Sequence, residues 1–183
     1  PVKSFELEEG EERYVMMVTR NGIVKKTDLR EYSRSMRRGK IALKIREDDE
    51  IISAVMTNGN NDIMLFSSNG MSVRFNEQRV RPMGRAASGV KGMTLNPGDT
   101  VVGVVVVDET TESILSVTEN GFGKRTSVKD YPVRNRGGKG VFTIKTSERN
   151  GKAIGALQVV DADEIMMITN GGKIIRTYMK NVR

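Results

Sequence analysis

Four times along the chain, a short apolar run leads into an Asn-Gly or Gly-Gly step and then into a second run that carries a cation. The runs before the glycine are Val15-Met16-Met17-Val18, Ile63-Met64-Leu65-Phe66, Ile114-Leu115 and Ile165-Met166-Met167-Ile168. The blocks align as "VTRNGIVKKT" (18–27), "FSSNGMSVRF" (66–75), "VTENGFGKRT" (117–126) and "ITNGGKIIRT" (168–177), so Gly22, Gly70, Gly121 and Gly172 fall 48, 51 and 51 residues apart. Two runs joined by Asn-Gly predict a β-hairpin whose tight turn places both central residues at positive φ. Each repeat then offers a further pair of runs. "IALKI" (41–45) precedes "EIISAV" (50–55), "MTL" (93–95) precedes "TVVGVVVV" (100–107), and "VFTIK" (141–145) precedes "AIGALQVV" (153–160). That makes about four short strands per repeat, and no segment carries a capped helical periodicity.

A period near 50 with four strands per unit predicts an all-β, propeller-like array of blades. The run "VVGVVVV" is apolar on both faces, as expected of a strand sandwiched between neighbouring blades. The repeats run over 13–60, 61–111, 112–162 and, incompletely, 163–183. Residues 1–12 read as the end of a preceding blade or a linker. The whole is one domain whose ring is incomplete, with an exposed sheet edge expected at either end.

Composition then narrows the chemistry. The 183 residues hold 30 Lys and Arg against 23 Asp and Glu, a formal charge of +7, and neither Cys nor His. Disulfides and thiolate metal sites are excluded, and so is the commonest general base. No apolar run reaches the ~18 residues a membrane span needs, which favours an intracellular protein without membrane contact. The chain begins at Pro1 and stops after a strand-like run, and it reads as a piece of something longer.

The charges are not mixed along each repeat. The windows 22–45, 70–91, 121–145 and 172–183 carry 24 of the 30 cations and 4 of the 23 acids. The remaining acids cluster in the opposite connections, such as "EDDE" (47–50), "DET" (108–110) and "DADE" (161–164). In a radial array one loop per repeat falls on one rim, so this pattern predicts a basic rim suited to a long polyanion. The expected contacts with double-stranded DNA are Lys25, Lys26, Arg30, Arg34, Arg37, Arg38 and Lys40 in the first repeat. Arg74, Arg79, Arg81, Arg85 and Lys91 follow in the second, Lys124, Arg125, Lys129, Arg134, Arg136 and Lys139 in the third, and Arg176 and Lys180 in the fourth. Nothing is equipped to read base edges, so backbone contact, bending and steep salt dependence are expected.

The stretch "RNRGGKG" (134–140) concentrates this chemistry in a turn of Arg136, Gly137, Gly138, Lys139 and Gly140. It lacks the Lys-Ser/Thr ending of a nucleotide cradle. "GRAASGVK" (84–91) has P-loop glycine spacing but puts Val90 where lysine belongs. "GFGKRT" (121–126) fails a G-x-G-x-x-G pattern at Thr126. The acidic clusters could hold a hard cation in principle, but acidic turns are commoner. No cofactor, metal site or catalytic residue is expected in this chain.

The chain resembles the C-terminal DNA-wrapping domain of bacterial DNA gyrase A subunits, a six-bladed β-pinwheel. The resemblance rests on "NGIVKKTDL" (21–29), "DIMLFSSNGMSVRF" (62–75), "GVKGMTLNPGDTVVGVVV" (89–106), "NGFGKRTSVKDYP" (120–132), "KGVFTIKTSERNG" (139–151) and "DEIMMITNGGKIIRT" (163–177). It implies roughly blades three to six, DNA wrapped around a basic perimeter, and a parent ATP-dependent type IIA topoisomerase that introduces negative supercoils. The implied partners are DNA and, in an A2B2 assembly, the gyrase B subunit together with the rest of the gyrase A chain. The implied location is the bacterial cytoplasm at the nucleoid. The family's heptad Q-[RK]-R-G-G-K-G is matched at five of seven positions by "RNRGGKG". Arg134 and Asn135 depart from it, which makes this a secondary copy. "SMRRGKI" (35–41) and "AASGVKG" (86–92) are more degraded relatives. None of Tyr14, Tyr32, Tyr131 or Tyr178 has the setting of a DNA-cleaving tyrosine in such enzymes. Two other readings are the matching domain of the A-type chain of topoisomerase IV and a protein-binding propeller, which predicts an apolar or acidic face.

Overall fold

The computed structural model describes residue 8, residues 10–33 and residues 38–182. It is all-β, and its only helical pieces among those residues are single 3-10 turns at Leu29–Tyr32, Glu77–Arg79, Val128–Asp130 and Met179–Asn181. The strands are β1 (Tyr14–Thr19), β2 (Ile23–Asp28), β3 (Ile51–Thr57), β4 (Asp62–Ser67), β5 (Met71–Asn76), β6 (Val90–Lys91), β7 (Val101–Val107), β8 (Ser113–Thr118), β9 (Gly123–Ser127), β10 (Val141–Phe142), β11 (Ala153–Val159), β12 (Glu164–Ile168) and β13 (Ile174–Tyr178). They form four antiparallel sheets in the orders β3-β1-β2-β6, β10-β5-β4-β7, β11-β8-β9 and β12-β13. The array is open: the last two sheets have three and two strands, leaving unpaired edges as expected.

The hairpins sit where the glycine spacing puts them, with a different turn. Each turn glycine donates its N–H to the carbonyl three residues back (Gly22 to Thr19, Gly70 to Ser67, Gly121 to Thr118 and Gly172 to Thr169). Only that glycine has positive φ, and the residue before it (Asn21, Asn69, Asn120 or Gly171) does not. This is a type I turn closed by a left-handed glycine, a three-residue connection, where the sequence predicts a two-residue one.

The second departure is larger. Sequence reading gives each repeat its own four strands, yet 41–45 and 93–95 form no strand. The fourth strand of a sheet comes from the next repeat. β6 pairs with β2 through Ile23↔Lys91 and Val24↔Val90, and β10 pairs with β5 through Val141↔Ser72 and Phe142↔Met71. Every complete blade is therefore finished by its successor. The chain then crosses the preceding hairpin turn, where Gly70 O accepts from Thr143 N at 2.9 Å and from Ile144 N at 3.4 Å.

Burial explains why the central strands are continuously apolar. Along β4, Ile63 and Leu65 face a core shared with the first blade, with Met16, Val18, Val24 and Met93. Met64 and Phe66 face the opposite core, with Val105, Ile114, Val128 and Tyr131. All four β4 side chains are at most 1% exposed, each contributing about 1.5–3 kcal/mol by burial. The axis is lined by β3, β7 and β11, with β7 lying against both others. There Gly103 lets the strands close, since a Cβ would come within 3.2 Å of Ala156 N. The exchanged strands β6 and β10 are consequently outermost.

Gly70 is needed twice over, for its φ of 76° and because a Cβ would lie 2.1 Å from Ile144 O. Gly172 has a similar φ of 76° but nothing within 4 Å. Gly70→Ala is expected to destabilise by clearly more than the ~1–2 kcal/mol of left-handed strain that Gly172→Ala incurs. Urea melts of the two variants check this, and equal losses would mean that the clamp on the turn carries no energy.

Candidate nucleic-acid interface

The expected DNA contacts fall into distinct structural groups. Arg34 and Arg37 lie outside the described residues. Lys25 and Lys26 are buried, at 0% and 4% exposure, which removes both from any nucleic-acid surface. Their strand β2 is covered on both faces, by the blade core and by loops 38–43 and 77–87, so the alternation that would expose a lysine does not apply.

Lys26 belongs to a repeated joint. Its Nζ donates to Glu77 O at 3.1 Å, Arg74 Nη1 donates to Val128 O at 2.8 Å, and Arg125 Nη1 donates to Met179 O at 3.4 Å. Each donor lies four residues after a turn glycine, and the acceptors 77, 128 and 179 are 51 residues apart. Each acceptor opens the next blade's 3-10 turn. The cation is thus a cross-link between consecutive blades. Carboxylates complete it: Asp62 for Arg74 at 2.8 Å, Asp161 for Arg125, and Glu77 for Lys26 at 3.6 Å. Glu77 is fully buried and also accepts from Thr57 Oγ1 at 2.7 Å, Gly59 N at 3.0 Å and Asn61 N at 2.9 Å. Arg74 and Arg125 are half-buried in these joints, so their expected role as phosphate contacts is corrected to a structural one. Arg176 occupies the same register, is exposed, and pairs with Glu164.

Lys25 is a different case. Its Nζ donates to Ala42 O at 2.6 Å and to Arg85 O, tying together the loops that follow the first and second hairpins. Burial, with Arg85 close by, lowers its pKa to about 8.

The loop 134–140 is built as a staple. Arg134 N donates to Arg74 O at 2.9 Å and Gly137 N to Gly92 O at 2.6 Å. Thr94 returns a bond through Oγ1 to Gly137 O at 2.6 Å and another through N to Gly138 O at 2.9 Å. Arg136 donates through Nε to Arg79 O at 2.8 Å and through Nη1 to Lys91 O at 2.9 Å. Gly140, at φ 86°, passes so close to β5 that a Cβ would stand 2.0 Å from Ser72 O. Gly140, and Gly137 with its φ of 84°, are therefore fixed by the strand exchange, whereas Gly138 has room for a side chain. The Arg136 guanidinium retains further N–H donors for an outside partner. In the preceding repeat, half-buried Arg85 has a similar role and donates to Ile41 O at 3.4 Å, while half-buried Lys40 reaches Glu31 O at 3.5 Å.

The exposed members of the expected set are Arg30, Arg38, Arg79, Arg81, Lys91, Lys124, Lys129, Arg134, Lys139, Arg176 and Lys180. They lie on the 3-10 turns, the loops that follow them, the outermost strand β6 and the second hairpin strands. An open cleft of about 750 Å³ separates the second blade's 3-10 turn from the staple loop, lined by Asn76, Arg79, Arg134 and Arg136 among others. The acids are segregated by radius and do not form an opposite rim. Residues 47–50 precede the inner strand β3, where Glu50 meets Arg20 at 3.0 Å, and 108–110 and 161–164 follow the inner strands β7 and β11. Lys145 and Phe142 join this outer surface although sequence reading passed over both. For Phe142 the signal was its place just after the loop, on a short strand followed by buried residues.

A family model described as DNA gyrase C-terminal domain, beta-propeller, matches residues 13–58, 61–108, 112–159 and 163–177. The chain belongs to this family. The DNA gyrase A protein of Staphylococcus epidermidis (strain ATCC 12228) is 47% identical over 175 residues, 95% of this chain and 20% of that protein. Its counterpart from Escherichia coli (strain K12) is 47% identical over 177 residues, 97% of this chain and 20% of its own length. The chain thus spans about a fifth of these relatives. Among solved structures, a DNA topoisomerase IV C-terminal domain superposes with TM-score 0.89 at 30% identity, covering 100% of this chain and 56% of that one. A DNA gyrase A C-terminal domain superposes with TM-score 0.82 at 27% identity, covering 94% of this chain and 58% of that one. No helix among the described residues is long and apolar enough to cross a membrane.

Two outcomes follow for this family member. Lys26→Met leaves the buried Glu77 carboxylate without its cation and is expected to cost about 3–5 kcal/mol. The double variant with Glu77→Gln should recover some of that loss in thermal melts, and no recovery would sink the pairing. For Lys25, folding disfavours the charged form, and that penalty is fully present below pH 8. It is relieved as pH rises from about 8 toward the ordinary 10.5, so the wild type should gain stability relative to Lys25→Met across that window. A difference that stays flat between pH 8 and 10.5 excludes the depressed pKa.

Proposed function

We propose that this chain binds double-stranded DNA along its outer perimeter without reading sequence, bending the duplex around successive blades. The observation that carries the reading is the radial charge pattern. An exposed cation recurs on each blade's 3-10 turn (Arg30, Arg79, Lys129 and Lys180), with more on the loops that follow, while the acidic clusters at 47–50, 108–110 and 161–164 flank the innermost strands. A belt of this kind matches a backbone that presents one charge per ~1.7 Å of duplex axis. Family membership supports it, since the relatives are DNA gyrase A proteins. In the longer protein such a domain would supply wrapping geometry to a type IIA topoisomerase assembled from gyrase A and gyrase B, with chemistry located elsewhere. It would bias strand passage toward negative supercoils in the bacterial cytoplasm. The topoisomerase IV likeness supports a second version of the same reading, in which the parent is the A-type chain of that enzyme. A protein-binding propeller would need an apolar or acidic perimeter, and the exposed outer cations argue against it.

The test is fluorescence anisotropy with random-sequence duplexes of increasing length at increasing salt. Affinity should fall steeply with salt and rise with length, and equal binding of short and long duplexes would exclude wrapping. Arg134→Ala with Lys139→Ala should weaken binding and lower the salt slope by about 2 with an unchanged melting temperature. Arg136→Ala should instead lower the melting temperature, because it removes two bonds that hold the exchanged strand. A double variant that binds as tightly as the wild type would take the loop out of the interface.

A further inference from the structure

Phe142 has the largest fractional exposure of any large apolar side chain among the described residues, at 76%. Its neighbours on the chain point inward: Val141 lies against the second core, and Thr143 and Ile144 are 2% and 5% exposed. It stands on β10, the outermost strand of its blade, two residues after the staple loop ends. Lys139, three residues earlier on the chain, is exposed as well. The outward direction belongs to the position. One repeat earlier the same place is held by Lys91, which remains exposed even though the following loop grips its carbonyl through Arg136 at 2.9 Å. An aromatic ring presented to solvent on the outermost strand, with an exposed cation nearby in the chain, fits a partner with charged edges and an apolar stacked interior.

We propose that Phe142 is an apolar wedge that enters bound DNA and partly unstacks one base step, with Lys139 holding a flanking phosphate. This rests on the DNA-binding reading and goes beyond its backbone contacts. Smooth bending of 20–30 bp by 40–90° costs roughly 1–6 kcal/mol, and an inserted side chain concentrates that bend at one unstacked step. Pyrimidine–purine steps unstack most readily, so the wedge introduces a mild preference for TA and CA/TG steps at a perimeter that otherwise reads none.

The chain contains no Trp, so Phe142→Trp places a single fluorophore at the site. Its emission should be quenched on binding a duplex. With 2-aminopurine beside a central TA step, wild type and Phe142→Leu should raise the probe's emission, while Phe142→Ala should lose the rise and bind that duplex about 5-fold or more weakly. The salt slope should be the same for all three, since no phosphate contact changes. Circular dichroism melts should coincide, because the side chain supports no core. An equal 2-aminopurine rise with Phe142→Ala, or none with a wild type that binds steeply with salt, overturns the wedge and leaves the DNA-binding reading standing. Absence of salt-dependent binding by the wild type overturns both.

Discussion

Each complete blade borrows its outer strand from the repeat that follows, and that loan governs the rest of the molecule. β6 and β10 are two residues long and contribute little hydrogen bonding of their own. What holds them is the loop before and the turn after. At 134–140 the chain must approach β5 so closely that only glycine fits at position 140, and it then crosses Gly70 at a distance no side chain would allow. Gly137, Gly140 and Arg136 of "RNRGGKG" follow from this passage before any ligand is considered. Two of its glycines have positive φ, and its central arginine satisfies carbonyls on the neighbouring segments.

The exchange also divides the cations into two classes that composition cannot separate. In the first three blades, those four residues after a turn glycine (Lys26, Arg74 and Arg125) sit inside the array and reach the carbonyl that opens the next blade's 3-10 turn. Their charge is neutralised by carboxylates, and in the interior a lone charge would be costly. Those on the loops and outermost strands face solvent. A perimeter held at a fixed blade-to-blade angle by the inner class presents the outer class at a regular spacing. In the proposed DNA-binding role the inner cations would therefore shape the surface without touching the duplex.

Much of this fold was legible in the sequence. The recurrence of the turn glycines at 48, 51 and 51 residues, and runs such as Ile63–Phe66 that are apolar on both faces, required stacked sheets and no helices. The strand exchange was not legible, because Val90-Lys91 carries no periodicity and its partner Ile23 is 68 residues away from Lys91. Nor was the burial of Lys25 and Lys26, since a count of charges per window treats every lysine as solvated. A clue was present: a cation recurs four residues after each of the four turn glycines, inside a strand, where a purely solvent-facing role has no reason to repeat so regularly. The type I turn escaped notice because Asn-Gly serves both turn geometries, and the choice is made by how the strands twist.

The same architecture limits what the perimeter can recognise. Helical structure among the described residues amounts to 3-10 turns of three or four residues, too short to lie in a major groove and present side chains to base edges. The loops that face outward are held by backbone bonds to neighbouring blades, so they present fixed charges at fixed radii. In the proposed DNA-binding role such a surface would sense phosphate positions, which carry no sequence information directly, and the ease of bending. Low specificity would then follow from the fold and not from missing residues. Any preference must enter through side chains that pass beyond the phosphates, and an apolar ring on the outermost strand is placed to do so.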